Sequence, residues 1–198
     1  MAADDYEIVA RETGYDGFFR LDRLSVRFRR YDGGWSEITR EVLERGHTVG
    51  VLLYDPARDK VVLVEQFRAP AVDAPGGPWL IETVAGIIEE GETPEEVARR
   101  ETAEETSLTV GAIERIGAFM LSPGGASEFI TLYLGRVDSR DAGGVHGIDD
   151  EDIRTVVMAT DDALAAVADG RIVAANAVIA LQWLALNRAR LGARRIEP

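Results

Sequence analysis

Gly86-Ile-Ile-Glu-Glu-Gly-Glu-Thr-Pro-Glu-Glu-Val-Ala-Arg-Arg-Glu-Thr-Ala-Glu-Glu-Thr-Ser-Leu108 is the stretch on which the fold prediction depends. It predicts a glycine loop that continues into a helix. Thr93 is a favourable N-cap, and Pro94 suits the first helical position. Glu96 completes a capping box with Thr93, so the sequence specifies both of the reciprocal hydrogen bonds that cap the start of the helix.

One face of this helix is unexpectedly acidic. At about 100° per residue, the residues on that face are Val97, Glu101, Glu104, Glu105 and Leu108. Glu101 and Glu105 form a like-charge pair four residues apart, which costs a few tenths of a kcal/mol even when exposed. A solvated acidic helix is one interpretation, but it explains poorly why the carboxylates share a face with the large apolar residues. Clustered oxygen ligands are also what Mg²⁺ or Mn²⁺ prefers.

The spacing of the charged residues resembles the signature of the Nudix family, G-x5-E-x7-R-E-U-x-E-E-x-G-U. The matching residues are Gly86, Glu92, Arg100, Glu101, Glu104, Glu105 and Leu108. Thr102 stands where the family prefers an aliphatic residue, and Ser107 replaces the last glycine. A serine at this helix end is expected to adopt a left-handed conformation, at about 1 kcal/mol relative to glycine. Neither departure removes a charge or a ligand.

Composition limits the possible classes. The chain has 198 residues, 46% apolar and 29% charged, which is ordinary for a globular protein with a full core. It has no cysteine, so disulfides and thiolate metal sites are excluded. No apolar run approaches about 18 residues and the N-terminus lacks an apolar signal core, which favours a cytoplasmic protein without a membrane partner. The net charge of −13 argues against nucleic-acid binding.

The pattern of the chain changes near His47. Residues 1–46 are predicted to form an antiparallel strand segment that cannot bury a core alone and serves dimerisation, and residues 47–198 to form the hydrolase domain. The strands expected in the first part are Tyr6–Ala10, Phe18–Arg30 and Trp35–Glu44. Those expected afterwards are Val49–Tyr54, Lys60–Phe67, Trp79–Ala85, Ile113–Leu121, Phe129–Val137 and Ile153–Met158.

Two helices are expected to close the chain. Thr160 is interpreted as the cap of the first and Gly170 as its stop, and 173–191 is predicted as the second. Between the last two strands, residues 138–152 are expected to form an acidic, glycine-containing loop. Strands interleaved with three helices predict an α/β layered domain.

The resemblance to the Nudix family implies an α/β/α sandwich with a mixed central sheet. Within the family, the chain is most similar to the branch that hydrolyses ADP-ribose. The segments that carry this likeness are Gly17–Phe19, Arg40–Glu41, Glu44–His47, Glu65–Arg68, Ser122–Glu128, His146–Gly147 and Ile179–Leu184. This branch implies metal-dependent cleavage of the ADP-ribose pyrophosphate to AMP and ribose 5-phosphate. It also implies a homodimer whose N-terminal strands exchange between subunits.

The resemblance also implies a catalytic constellation with two or three Mg²⁺ ions per site, Mn²⁺ being possible. The expected metal ligands are Glu101, Glu105, Glu151 and the carbonyl of Ala85. Glu104 is expected to be an additional or outer ligand, Arg100 to orient Glu104, and Glu92 to hold the loop or reach a metal through water. The base or last ligand is expected in the late acidic loop, where Glu151 is preferred to Asp149. The alternative is a solvated acidic loop without a catalytic role.

Substrate contacts are expected at six further positions. Phe18 is expected to stack on adenine from the partner subunit, Arg40 and Arg68 to pair with phosphate or base edges, and Glu128 to bind the terminal ribose hydroxyls. Ser122 and Gly124 are expected to line the same site. Phe18 or Phe19 as core and Arg68 as a surface strand end are the alternatives. The two histidines, His47 and His146, are interpreted as structural or turn residues.

Three other functions remain open at this stage. A hydrolase of another sugar nucleotide, such as GDP-mannose, would carry the same signature. A non-catalytic module that senses ADP-ribose would be expected to lose carboxylates of the signature and to carry a basic DNA-binding extension, and neither is found. A purely structural dimerisation domain would leave the acidic helix face unexplained.

Overall fold

The computed structural model describes residues 5–147 and 151–192. Two compact units make up the chain, one formed by Met1–His47 with Met120–Phe129 and the other by Thr48–Phe119 with Ile130–Pro198. Its strands are β1 (Tyr6–Asp16), β2 (Arg20–Arg29), β3 (Trp35–Glu44), β4 (Thr48–Asp55), β5 (Lys60–Phe67), β6 (Trp79–Glu82), β7 (Val84–Ile87), β8 (Ile113–Met120), β9 (Phe129–Arg136), β10 (Val145–His146) and β11 (Ile153–Ala159). The helices are α1 (Pro94–Thr106), α2 (Thr160–Ala168) and α3 (Ala175–Gly192).

The first unit is built on an antiparallel sheet of β1, β2 and β3. Asp22 of β2 is a buried acid, only 1% exposed. Its carboxylate accepts hydrogen bonds from Arg11, Thr13 and Arg20. Large apolar side chains of β1 remain exposed, among them Tyr6, Ile8 and Tyr15. The division of the chain into a dimerisation segment and a hydrolase domain stays a prediction, because contacts within one chain do not test association.

The second unit is a sandwich of helices on a mixed sheet, as the sequence predicts. The sheet has eight strands in the order β10-β11-β5-β4-β9-β8, with β6 beside β5 and β7 beside β4. β4 and β9 are parallel, whereas β10–β11, β11–β5, β5–β4, β5–β6 and β4–β7 are antiparallel. Every residue of β4 is buried, and both α1 and α3 contact this strand. Val97 and Ala98 of α1 join the core formed by alternate β4 residues, including Val49 and Val51.

Three local predictions are corrected by the structure. The expected single strand 79–85 is interrupted at Thr83, because β6 pairs with β5 whereas β7 pairs with β4, so the chain must cross between neighbours. Thr160 does not cap α2; it is the first helical residue, and its hydroxyl lies 2.9 Å from the carbonyl oxygen of Asp59. The expected loop 138–152 contains β10, which pairs with β11 but is too short to show a periodic pattern.

None of the helices within residues 5–147 and 151–192 is long and apolar enough to cross a membrane.

Candidate active site

Both ends of α1 have the geometry that the sequence predicts. Thr93 is extended, its hydroxyl accepts from the amide of Glu96 at 3.3 Å, and the Glu96 carboxylate accepts from the Thr93 amide at 2.8 Å. At the other end Ser107 adopts the left-handed conformation, with φ 55° and ψ 15°, and its amide donates to Ala103. These caps fix where the helix begins and ends, and therefore which side chains face the sheet.

The face of α1 that meets the sheet contains a carboxylate. Val97, Ala98 and Thr102 are fully buried, and Glu105 is only 3% exposed. The buried Thr102 hydroxyl donates to the carbonyl of Ala98 at 2.7 Å, so this departure from the family pattern leaves no unsatisfied polar group. Glu105 is different, since glutamate is almost never fully buried unless it is paired.

The Glu105 carboxylate has few partners among the residues that the structure describes. It hydrogen-bonds to the backbone amide of Ala85, but its buried Oε2 atom has no hydrogen-bond partner within residues 5–147 and 151–192. Burial, and then repulsion from Glu101, raises the pKa of Glu105 to about 9. In the absence of a cation this side chain therefore holds a proton at neutral pH. An orphaned, buried carboxylate oxygen is the type of atom that a divalent cation would complete.

Arg100 organises the remaining acids of the motif. Its guanidinium donates to both oxygens of Glu92, at 3.1 and 3.2 Å, and to Glu101 at 2.8 Å and Glu104 at 3.2 Å. The amide of Glu89 also donates to Glu92, which ties the loop before α1 to this network. Arg100 thus contacts three of the four glutamates that match the motif.

Gly86 makes room for the second carboxylate near the sheet. A side-chain carbon at this position would lie 1.8 Å from Oε1 of Glu101, so only glycine admits the observed packing. Burial raises the pKa of Glu101, against the opposing effect of Arg100. Within residues 5–147 and 151–192, no group of three or more acidic or histidine side chains is already arranged to hold a metal ion. Glu101 faces Arg100, so binding of a cation requires it to share or exchange that partner.

Glu151 belongs to the same electrostatic environment. Its carboxylate is one of the charges that raise the pKa of Glu101 and of Glu105, which places it near both. Asp149, the second candidate for the base, lies outside the described residues. Glu151 is exposed, and Gly147 lies against its backbone. The choice between the two acids stays a prediction.

Arg68 is held by a neighbour that the sequence analysis did not single out. Its guanidinium donates to Oε2 of Glu82 at 2.7 and 3.2 Å, and Glu82 is buried at the end of β6. Arg68 also favours the charged form of Glu105, because it partly offsets the rise in the pKa of that carboxyl. Arg68 is therefore fixed in orientation, and its predicted contact with substrate remains a prediction.

The other predicted substrate contacts lie in the first unit. Phe18 is 87% exposed, which excludes the alternative that it belongs to the core. Arg40 is exposed and donates to the carbonyl of Thr39. The carbonyl of Ser122 accepts hydrogen bonds from the amides of Gly125 and Ala126, at 3.1 and 2.9 Å, and Gly124 lies within that turn. Their roles toward substrate stay predictions.

Glu128 has a cationic neighbour that was missed. It is 6% exposed and lies 3.4 Å from the guanidinium of Arg45, which in turn packs over the ring of Phe19 at 5.2 Å. The arginine belongs to the quoted segment Glu44–His47, but a basic residue in a polar run gives no signal of a partner more than eighty positions away.

Comparison with known proteins shows which protein family the chain matches. Residues 44–190 match the NUDIX domain family. ADP-ribose pyrophosphatase of Escherichia coli strain K12 is 49% identical over 191 residues, covering 95% of this chain and 91% of that protein. ADP-ribose pyrophosphatase of Haemophilus influenzae is 42% identical over 197 residues, covering 96% and 91%. GDP-mannose pyrophosphatase of Klebsiella pneumoniae is 37% identical over 171 residues, covering 85% and 86%.

A solved structure supports the same fold. The crystal structure of an ADP compounds hydrolase superposes with a TM-score of 0.73 at 16% identity, covering 96% of this chain and 98% of that one. The family match spans α1 with its intact acidic motif and most of the sheet on which α1 packs. The chain therefore belongs to the Nudix family and is a Nudix pyrophosphohydrolase.

Proposed function

We propose that the protein hydrolyses the pyrophosphate bond of ADP-ribose to AMP and ribose 5-phosphate in the presence of Mg²⁺ or Mn²⁺. The observation that carries the proposal is Glu105, a buried carboxylate beside Glu101 with one oxygen that no described residue hydrogen-bonds. A structural helix gains nothing from such a group, because burying a carboxylate without a partner opposes folding. In a site where cations neutralise an anionic substrate, such a carboxylate serves as a ligand of those cations.

The choice of ADP-ribose is supported by the relatives. The ADP-ribose pyrophosphatases of E. coli and H. influenzae are 49% and 42% identical, whereas the GDP-mannose pyrophosphatase of K. pneumoniae is 37% identical. GDP-mannose is the second candidate, favoured by that last likeness. A sensing module without catalysis is disfavoured, since every carboxylate of the motif is present.

Glu101, Glu105 and the carbonyl of Ala85 would hold the cations, with Glu104 as an additional or outer ligand. When bound, two or three Mg²⁺ ions would neutralise the pyrophosphate, activate a water molecule and stabilise the leaving phosphate. Mn²⁺ suits the same oxygen ligands. Arg100 would keep Glu104 and Glu92 in place while Glu101 turns toward the metal, since its guanidinium already spans all three.

Glu151 would accept the proton of the attacking water. The new bond joins the water oxygen to one phosphorus, and the bond between that phosphorus and the bridging oxygen breaks. The proton passes to the Glu151 carboxylate and later to solvent. The proximity of Glu151 to Glu101 and Glu105 supports this role over that of a plain solvated loop.

We further propose that the protein is a homodimer that exchanges its N-terminal strands. The three-stranded sheet of the first unit leaves Tyr6, Ile8, Val9 and Tyr15 exposed, as a sheet does that lacks a partner layer. In this dimer Phe18 would stack on adenine. Arg40, Arg68, Ser122, Gly124 and Glu128 are proposed as the remaining contacts.

A panel of nucleotide sugars tests the proposal. The purified protein is incubated with ADP-ribose, ADP-glucose, GDP-mannose and UDP-glucose, with Mg²⁺ or with excess EDTA, and products are separated by chromatography. We expect AMP and ribose 5-phosphate from ADP-ribose, at the highest kcat/KM of the panel, and no turnover in EDTA. Preference for GDP-mannose would select the second candidate, and tight ADP-ribose binding without products would select the sensing module.

A further inference from the structure

A hydrogen bond joins the C-terminal end of α1 to β10. Oγ of Ser107 lies 3.2 Å from Nδ1 of His146, and Nε2 of the same ring lies 2.9 Å from the carbonyl oxygen of Gly143. A carbonyl can only accept, so Nε2 carries the hydrogen in the neutral ring. Nδ1 is then the acceptor for the Ser107 hydroxyl. His146 therefore bridges α1 and the segment that precedes β10.

Gly147, the residue after β10, lies against the backbone of Glu151. His146 pairs with Ile153 in the antiparallel β10–β11 ladder, and Gly147 follows at once. Gly147 has φ 115°, and a side-chain carbon there would lie 2.5 Å from the carbonyl oxygen of Glu151 and 2.8 Å from its Cβ. The residue after His146 thus packs on the backbone of Glu151. A displacement of His146 would be transmitted to Glu151 through this contact.

Ser107 is an unusual residue for its conformation. Its φ of 55° and ψ of 15° are left-handed, where glycine has no steric penalty. What serine offers over glycine at this point is the hydroxyl, and the hydroxyl contacts His146. Ser107 lies two positions beyond Glu105, directly after the helix that carries both Glu105 and Glu101.

We propose that Ser107 and His146 are positioning residues for the loop carboxylate of Glu151. By fastening β10 to the end of α1, they fix the distance between Glu151 and the helix carboxylates Glu101 and Glu105. Neither Ser107 nor His146 touches substrate or a reacting atom in this arrangement. The inference deepens the proposed function and rests on the role assigned there to Glu151.

The test uses four variants of the full chain. Ser107→Gly removes the hydroxyl while relieving the left-handed conformation, His146→Ala removes the ring, and the double variant removes both. His146→Asn retains an acceptor at about the position of Nδ1. Ser25→Ala is the matched control, because it also removes a serine hydroxyl that makes an exposed side-chain hydrogen bond, here with the Thr39 hydroxyl at 2.9 Å. Measurements are kcat and KM for ADP-ribose, the thermal midpoint, and the NMR amide resonance of Glu151.

We expect Ser107→Gly and His146→Ala each to lower kcat about tenfold with KM unchanged, as loss of an orienting partner does. The double variant should be no slower than the slower single variant, since both break one contact. The thermal midpoint of Ser107→Gly should hold or rise. His146→Asn should restore most of the rate, and Ser25→Ala should match the wild type. The Glu151 amide should shift in Ser107→Gly but not in Ser25→Ala.

Either wild-type turnover or an unshifted Glu151 amide in Ser107→Gly overturns the positioning role and leaves the proposed hydrolysis intact. If the wild type cleaves no nucleotide sugar, the proposed function fails on its own evidence. The coupling is then judged by the Glu151 amide alone: a shift in Ser107→Gly supports it, and no shift overturns it.

Discussion

Replacing Glu105 by glutamine separates the functional use of this side chain from its effect on folding. Glutamine has the same shape and can still accept the hydrogen bond from the Ala85 amide, but it cannot carry a negative charge. Turnover of ADP-ribose should fall by two orders of magnitude or more, because a ligand of the cations that would neutralise the pyrophosphate is lost. Stabilisation by added Mg²⁺, measured as a shift in the unfolding midpoint, should shrink with it.

In the metal-free protein, the same substitution should raise the free energy of unfolding. The pKa of Glu105 is raised from 4.5 to about 9, chiefly by burial, so the folded state holds a proton that the unfolded state has released. Stability must therefore fall as pH rises from about 4.5 to about 9. At about 1.4 kcal/mol per pKa unit, the loss reached at pH 7 is about 3 kcal/mol. Glu105→Gln removes this loss, which corresponds to roughly 6 °C or more for a chain of this size.

Differential scanning calorimetry in EDTA at pH 5, 6, 7 and 8 measures the effect. The wild type should lose stability across the series, and Glu105→Gln should lose less, so the two curves diverge toward high pH. Glu90→Gln, an exposed acid in the loop before α1, is the control and should follow the wild type in both turnover and stability. Near wild-type hydrolysis by Glu105→Gln would refute its role as a principal ligand, and parallel curves would refute the argument from burial.

Three further outcomes are expected. Glu151→Gln should reduce kcat at least about 30-fold with little change in substrate affinity, and Asp149→Asn should matter less; the reverse order in steady-state kinetics would move the base by two residues. The protein should be a homodimer by light scattering, and deletion of residues 1–46 should leave a monomeric or insoluble remainder, whereas an intact monomer of 21.6 kDa with full activity would exclude the dimer. At Asp55, burial opposes ionisation, but hydrogen bonds from Ser139 and Arg58 prevail and lower the pKa to about 2. The wild type should therefore lose about 2 kcal/mol as pH falls from about 4 to about 2, and acid titration of Asp55→Asn should lack that component.

Much of the fold could be predicted because the local signals agree with the packing. The capping box at Thr93 and the left-handed Ser107 follow from side-chain chemistry within a few residues. The strands β3 and β5 have the bounds that the apolar patterns indicate, since pattern and burial coincide there. The carboxylates of the motif could also be identified by spacing alone, because one helix carries three of them.

What could not be predicted depends on contacts distant in sequence. The interruption at Thr83 follows from a change of neighbour between β5 and β4, which no local pattern reports. Thr160 has the residue type of a helix cap, but its hydroxyl contacts Asp59, more than a hundred positions earlier. The pairing of Arg45 with Glu128 is hidden for the same reason.

The motif helix shows why one rule of sequence reading fails where function is concentrated. On an ordinary helix the buried face is apolar, and each departure from that rule is compensated locally. Thr102 obeys this, since its hydroxyl bonds to the carbonyl of Ala98. Glu105 does not, because the amide of Ala85 donates to the carboxylate while Oε2 has no hydrogen-bond partner in the described part of the chain. The structure therefore distinguishes the two polar residues on this buried helix face. Thr102, whose hydroxyl is hydrogen-bonded within the helix, affects only packing. Glu105 is the group whose partner must come from outside the chain.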